Sequence, residues 1–347
     1  MATGSRAVAG NRTGGPTRDA AAAAAAFNLN ALNIALMLVA GVLSFAWPFE
    51  VLIGSFLLLG PLHGLTELSW LHDRKYFTDS KAGPALLGAS ALVMMAPAVL
   101  APTAVNMGPS VLLFACFVAS AGLVVARSLG ARLVLAALAL GGALLLLRNP
   151  LLALVGLFLP TVIHLFVFTG LFILTGAMRS HSKLGLLSLA VFVACAAALL
   201  LLPVTGPIRP LAGVVREAIS VFSLLIGYLA RHFPLAGGDA KGAVVVAARF
   251  LAYITLYHYL NWFSKTRVIG WHAVGRKRLL LVGGLWLASL AALAVSLRAG
   301  ILFAATLSTL HVVLEFPLNW RSFGSVITLS RSRSTAAPTP APAVAAR

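Results

Sequence analysis

Continuous apolar runs dominate the chain. They fall near 28–47, 50–70, 84–102, 109–126, 132–147, 150–177, 184–203, 243–263, 279–297 and 299–317. Most approach the ~20 residues that a helix needs to cross the hydrocarbon core of a bilayer. Proline, glycine or charge marks nearly every junction: Trp47-Pro48, Gly83-Pro84, Gly108-Pro109, Asn149-Pro150, and Arg298 with Gly300. Several links are too short for anything but helical hairpins. In lipid only helices or closed barrels satisfy the backbone polar groups, and these runs lack the alternation of barrel strands. The pattern predicts an all-α, polytopic transmembrane bundle of about ten spans with no soluble domain.

The stretch 204–242 does not fit that rhythm. Pro207 and Pro210 break it, Arg216, Glu217 and Arg231 charge it, and its apolar run is only about 13 residues long. It reads as an interfacial or re-entrant segment. The distribution of basic residues tests this reading, because short cytoplasmic loops collect Lys and Arg. Ten spans with the amino terminus inside place nineteen basic residues on the cytoplasmic side, in the two tails and the loops 71–83, 127–132, 178–183 and 264–278. Seven remain for the other side: Arg148, Arg209, Arg216, Arg231, Lys241, Arg249 and Arg298. An eleventh span at 204–242 would throw the basic loop 264–278 outside. Both termini are therefore expected in the cytoplasm, with the chain in a cell inner (plasma) membrane.

The domain at 27–320 is flanked by a polar N-terminal tail, 1–26, and a basic C-terminal tail, 321–347. Both are expected to be disordered, because Gly, Ala, Thr and Pro cannot bury a core. No clear small-residue cleavage site follows the first apolar run, which reads as a retained span rather than a signal peptide.

Composition agrees. Apolar residues make up 60% of the 347, charged ones 10%, and mean hydropathy is +0.98; a soluble domain is about one quarter charged. The net charge of +18 would suggest nucleic acid in a soluble protein. Here topology and lipid headgroups explain it, and no nucleic-acid partner is expected. Cys116 and Cys195 are isolated in apolar runs, so neither a disulfide framework nor a thiolate metal site follows. No phosphate-cradling loop, dinucleotide fingerprint, His-Glu-x-x-His motif or nucleophile elbow occurs, which leaves ATP-driven transport and serine hydrolysis without support.

The chemistry lies with the rare polar residues inside the runs. Of eight acids, Glu67 and Glu315 lie within predicted spans, each four residues after a histidine: His63 and Glu67, His311 and Glu315. That spacing puts both side chains on one helix face, one turn apart. Intramembrane charge is costly and marks function by default. In the ten-span topology both pairs and His258 share the cytoplasmic third of inward-running spans, and His164 lies near the middle of another. Imidazole with carboxylate suits iron, zinc or manganese, and two histidines with one carboxylate suffice for an oxygen-activating ferrous centre. The candidate ligands are His63, Glu67, His164, His258, His311 and Glu315. A lone histidine such as His164 can equally serve as interhelical glue, and His72, Asp73, His181 and His272 read as loop or helix-end residues. Tyr253, Tyr257, Tyr259 and Trp262 read as an interfacial aromatic belt.

The segment Leu59-Gly-Pro-Leu-His-Gly-Leu-Thr-Glu resembles a motif of the bacterial Brp/Blh family of membrane carotene dioxygenases. His63, Gly64 and Glu67 occupy its His-Gly and acid positions, with Glu where that family usually has Asp and Leu62 where it has Pro. A later histidine pair of the family has no evident counterpart; His311 is followed by Glu315 instead. The resemblance implies a multi-span helical fold, an intramembrane iron held by histidines, and cleavage of a polyene.

Together these readings give an intramembrane metal-dependent, non-haem iron oxidoreductase or oxygenase, with zinc or manganese as alternative metals. Its partners would be membrane lipids and a hydrophobic small-molecule or lipid substrate, isoprenoid or carotenoid-like. The alternative is a proton-coupled transporter in which Glu67 and Glu315 exchange protons.

Overall fold

The computed structural model describes residues 18–335, except 80, 101–107, 127, 149–157, 206–207, 234–235, 237, 266–268 and 271–272. Every described element is helical. The long helices are α1 (Arg18–Ala46), α2 (Pro48–Asp73), α3 (Ala82–Leu100), α4 (Gly108–Val124) and α5 (Leu129–Arg148). They continue with α6, π-helical over Leu159–Phe168 and α-helical over Thr169–Arg179, then α7 (Lys183–Leu201) and the broken α8 (Gly213–His232). The series ends with α9 (Ala240–Ser264), α10 (Arg276–Val295) and α11 (Leu297–Thr335).

Eight of these are long and apolar enough to cross a membrane: α1, α2, α6, α7, α8, α9, α10 and α11. The apolar runs at 84–102, 109–126 and 132–147 correspond to shorter apolar helices, Ala82–Pro97, Pro109–Val124 and Leu133–Leu145. Over the described residues, all ten expected runs thus lie on helices.

One of the eight long helices, α8, falls in the stretch expected to be interfacial or re-entrant. It has length and hydropathy enough to span, yet its flanks return to the same place. The Ala236 amide donates to the carbonyl of Leu200 at 3.3 Å. The guanidinium of Arg249 in α9 donates to the carbonyls of Leu202 and Pro203 and lies 3.9 Å over the Phe45 ring. α7 therefore ends beside the start of α9, and the segments on both sides of α8 lie at that same end of the bundle, Ile208 and Leu211 lining one cavity with Ala240 and Lys241. A 3-10 turn at Ile219–Phe222 breaks it, and there Phe222 packs edge-on against Phe56 of α2.

The tails depart from expectation. α1 begins at Arg18, so an alanine-rich segment expected to be disordered is helical, as the highest helix propensity of any residue allows. α11 continues through 321–335 past Pro317. Residues 1–17 and 336–347 lie outside the described part.

The core is built around α9. It is buried almost from end to end and packs on α1, α2, α6, α7 and α8. Its tyrosines are core residues, not the interfacial belt expected. Tyr253 donates to the Phe192 carbonyl at 3.1 Å, Tyr257 to Oδ1 of Asn33 at 3.3 Å, and Tyr259 lies against His63. Burying a phenol without a partner would be costly, and for Tyr253 and Tyr257 α7 and α1 supply one. α11 makes the second axis, packing on α2, α3, α4, α6 and α10. Large apolar side chains such as Val42, Leu86, Leu140, Leu280 and Val295 are exposed. A water-facing surface would hide them; lipid accommodates them.

Candidate metal centre

Four helices bring the centre together, and three carry a proline within a few residues of a candidate ligand. Pro61 precedes His63 in α2, Pro160 precedes His164 in α6, and Pro317 follows Glu315 in α11. Proline lacks an amide proton and its ring collides with the carbonyl four residues back. In α2 the preceding turn, Ser55–Leu59, widens into a π-helix in which the Gly60 amide reaches back five residues to Ser55. In α6 the π-helical stretch Leu159–Phe168 contains His164 itself. Such π turns are rare and concentrate at functional sites.

All six candidate ligands are buried: His63, Glu67, His164, His258, His311 and Glu315. One ligand atom from each of His63, Glu67, His258 and His311 lies within 4.8 Å of all the others. His63 is the hub: its Nε2 lies 3.1 Å from Nε2 of His258 and 3.0 Å from Oε2 of Glu67. Ligand bonds of ~2.0–2.1 Å would set neighbouring donors of a tetrahedral ion about 3.3 Å apart. These two edges are within a few tenths of an ångström of that. His164 and Glu315 form a second pair, Nδ1 to Oε2 at 3.3 Å, with the His164 ring 4.9 Å from His258 and 5.4 Å from His311. The carboxyls of Glu67 and Glu315 approach closely enough to interact, which links the two groups.

Polar satisfaction tests whether a cation fits. Nδ1 of His63, Oε2 of Glu67, both ring nitrogens of His164, Nε2 of His311 and Oε2 of Glu315 are buried without a hydrogen bond. The contacts of 3.0 and 3.3 Å bring lone-pair atoms together but lack hydrogen-bond alignment. An unpaired buried polar group costs about 1–3 kcal/mol, and several facing one another are what a shared cation resolves. Neutral imidazole with carboxylate suits iron, zinc or manganese. The residues present fit such an ion, and they do not select among these metals.

Outer contacts orient the rings. Oγ1 of Thr169 lies 2.8 Å from Nδ1 of His258, and Nδ1 of His311 donates to the Leu307 carbonyl at 3.1 Å. The second bond puts the proton of neutral His311 on Nδ1 and leaves the Nε2 lone pair free. Trp262 stands edge-on to His63 and donates to Oγ1 of Thr66, which bonds to the His63 carbonyl. The glycine after His63 has a steric reason: a Cβ on Gly64 would lie 3.2 Å from Nδ1 of His311 and 3.4 Å from the Leu307 carbonyl.

Two cavities reach the cluster. The wider, about 550 Å³, extends from Arg74, Arg179, Lys265 and Arg321 down to Glu67, His258 and Glu315. Desolvation lowers the Lys265 pKa to about 8. The narrower, about 170 Å³, touches His164 and His311 and is walled by Thr161, Phe222 and Tyr259.

Other expected loop residues stay apart. His72 and His181 are exposed, Asp73 pairs with Arg278, and His272 lies outside the described residues. Thr169, Thr66 and the Leu307 carbonyl were not foreseen. Thr169 is an unremarkable threonine in an apolar run, and only the fold brings it to His258.

No family model, curated protein or solved structure matches this chain.

Proposed function

We propose that this protein is an intramembrane metal-dependent oxidoreductase, with non-haem iron as the favoured metal and a lipid or isoprenoid as substrate. The observation that carries the reading is the set of unpaired imidazole and carboxyl atoms buried together at the foot of a cavity that opens at one end of the bundle. His63, Glu67, His258 and His311 would hold the ion, and Glu315 with His164 would stand beside it as further ligands or as a proton relay. Bound iron would supply oxygen activation at positions the protein leaves open. The chain supplies the rest: the aromatic wall of Trp70, Phe172 and Trp262 holds an apolar substrate, and burial keeps water from the reacting atoms. A carotenoid-like polyene, as the Brp/Blh resemblance implies, is one such substrate.

One observation favours the second reading, a proton-coupled transporter. The two cavities meet the cluster through different residues, Glu67, His258 and Glu315 in one and His164 and His311 in the other. Alternating access uses openings of that kind.

Nitric oxide added to anaerobic protein reconstituted with ferrous iron separates the two. The oxidoreductase reading expects the high-spin ferrous-nitrosyl signal by electron paramagnetic resonance, and its loss in His258→Ala. Iron-free proteoliposomes that acidify with Glu67- and Glu315-dependent kinetics would favour transport instead.

A further inference from the structure

The wider cavity gathers four cations from four separate places in the chain. Arg74 follows α2, Arg179 ends α6, Lys265 follows α9 and Arg321 lies in α11. Three of them are spaced alike from the donors. Arg74 is seven residues after Glu67, Lys265 seven after His258 and Arg321 six after Glu315. At 1.5 Å per residue, the Cα of each cationic residue stands roughly 9–11 Å along the chain from that of the donor. Seven residues return Arg74 and Lys265 to nearly the face of Glu67 and His258, and Arg321, six residues after Glu315, lines the same cavity.

None of the four is neutralised. Among the described residues the ion pairs are His63 with Glu67, His164 with Glu315, and Arg278 with Asp73. Their contacts hold them without cancelling charge: Arg74 lies 5.6 Å from the Trp70 ring, Arg321 lies 5.9 Å from the Phe77 ring, and Arg179 donates to Ser325 at 3.3 Å. Phe172, Trp262 and Leu318 give the wall an aromatic and aliphatic stretch, with Thr175, Asn261 and Ser322 among them. Topology alone asks for basic residues on one side of the membrane, but does not ask that they ring the entrance to a buried His and Glu cluster. A neutral hydrocarbon has no group to match them.

We propose that the cavity binds an amphiphile with an anionic head group, a phosphate or a carboxylate. Arg74, Arg179, Lys265 and Arg321 hold the head, and the apolar body reaches down to Glu67, His258 and Glu315. This rests on the proposed metal centre for the chemistry at the floor, though not for the binding. The head fixes the register of the chain, so that a position about two helical turns below the anion faces the donors.

The test uses the full-length protein in a neutral maltoside detergent, with the fluorescence of Trp70 and Trp262 as readout. Dodecyl phosphate, dodecanoate, dodecanol and inorganic phosphate are titrated, and metal is measured on the same preparations. Dodecyl phosphate or dodecanoate should bind saturably and at least tenfold tighter than dodecanol. The double variant Arg179→Gln, Arg321→Gln, altered at exposed positions, should lose at least tenfold toward the anionic probe, with dodecanol affinity and metal content unchanged. Dodecanol binding as tightly as the anions, or a double variant with unaltered affinity, would overturn the proposal. Inorganic phosphate binding as tightly as dodecyl phosphate would also overturn it, because the ligand would then be a free anion. Wild-type protein that binds the anionic probe as described but carries no metal contradicts the proposed centre and leaves the cavity assignment standing.

Discussion

The hydroxyl of Thr169 lies 2.8 Å from Nδ1 of His258, and both groups are buried. With a cation on Nε2, that hydroxyl would accept a hydrogen bond from Nδ1–H and leave the Nε2 lone pair facing His63. Outer partners of this kind are worth about 10–100-fold in metal affinity. Thr169→Val keeps the shape of the side chain and removes the acceptor. Its metal affinity, measured by competition with a chelator, should fall within that range while the protein still folds. Thr169→Ser should stay within a few-fold of wild type.

Glycine at position 64 gives a prediction with its own control. In Gly64→Ala the new methyl meets His311 and the Leu307 carbonyl at 3.2 and 3.4 Å, so His311 must give way. Overpacking costs about 1–3 kcal/mol, and thermal stability and metal content should fall together. Gly54, in the same helix, has nothing within 4 Å of a built Cβ. Gly54→Ala should be neutral or stabilising, because glycine within a helix costs about 0.5–1 kcal/mol relative to alanine.

Much of this was legible in the sequence, and for identifiable reasons. Ten apolar runs predicted ten helices because in lipid a continuous run has few other solutions. The spacing of His63 to Glu67 and His311 to Glu315 announced two polar helix faces, and common depth suggested that they meet. What stayed hidden depends on neighbours far away in the chain. Tyr253 and Tyr257 looked like a belt because sequence does not show that Phe192 and Asn33 wait for their hydroxyls. The length of α8 is visible, but the return of the chain to the end of α7 depends on Ala236 meeting Leu200. The prolines at 61, 160 and 317 were visible as breakers, whereas the π turns at two of them appeared only in three dimensions.

Removing the metal should loosen the bundle. An apo centre retains buried unpaired donors, and a ligand at a hundred times its dissociation constant stabilises the native state by about 2.7 kcal/mol. A chelator should therefore lower the melting temperature, and ferrous iron or zinc should restore it. Glu67→Gln should respond to neither treatment. A wild-type melting curve indifferent to chelator would count against a resident ion.

Topology is checked by labelling single cysteines in a background with Cys116→Ala and Cys195→Ala. An impermeant maleimide applied to intact cells should label Arg209→Cys and Lys241→Cys, which flank α8, and spare Ser180→Cys. Labelling that places 209 and 241 on opposite sides would make α8 a crossing span and invert the orientation of everything after it.

The most direct test of the metal centre is the metal content of the purified wild type beside His63→Ala, Glu67→Gln and Glu315→Gln. The wild type should carry stoichiometric metal, iron first among the candidates. His63→Ala should lose it, since that ring contacts both His258 and Glu67. Glu67→Gln should lose most of it, because the amide keeps the size but not the anionic donor. Glu315→Gln should show the smaller loss, as its closest histidine partner is His164. All three should remain folded, because helix packing holds the bundle. Wild-type protein that is folded and active with no bound metal would contradict the account and leave Glu67 and Glu315 as proton carriers.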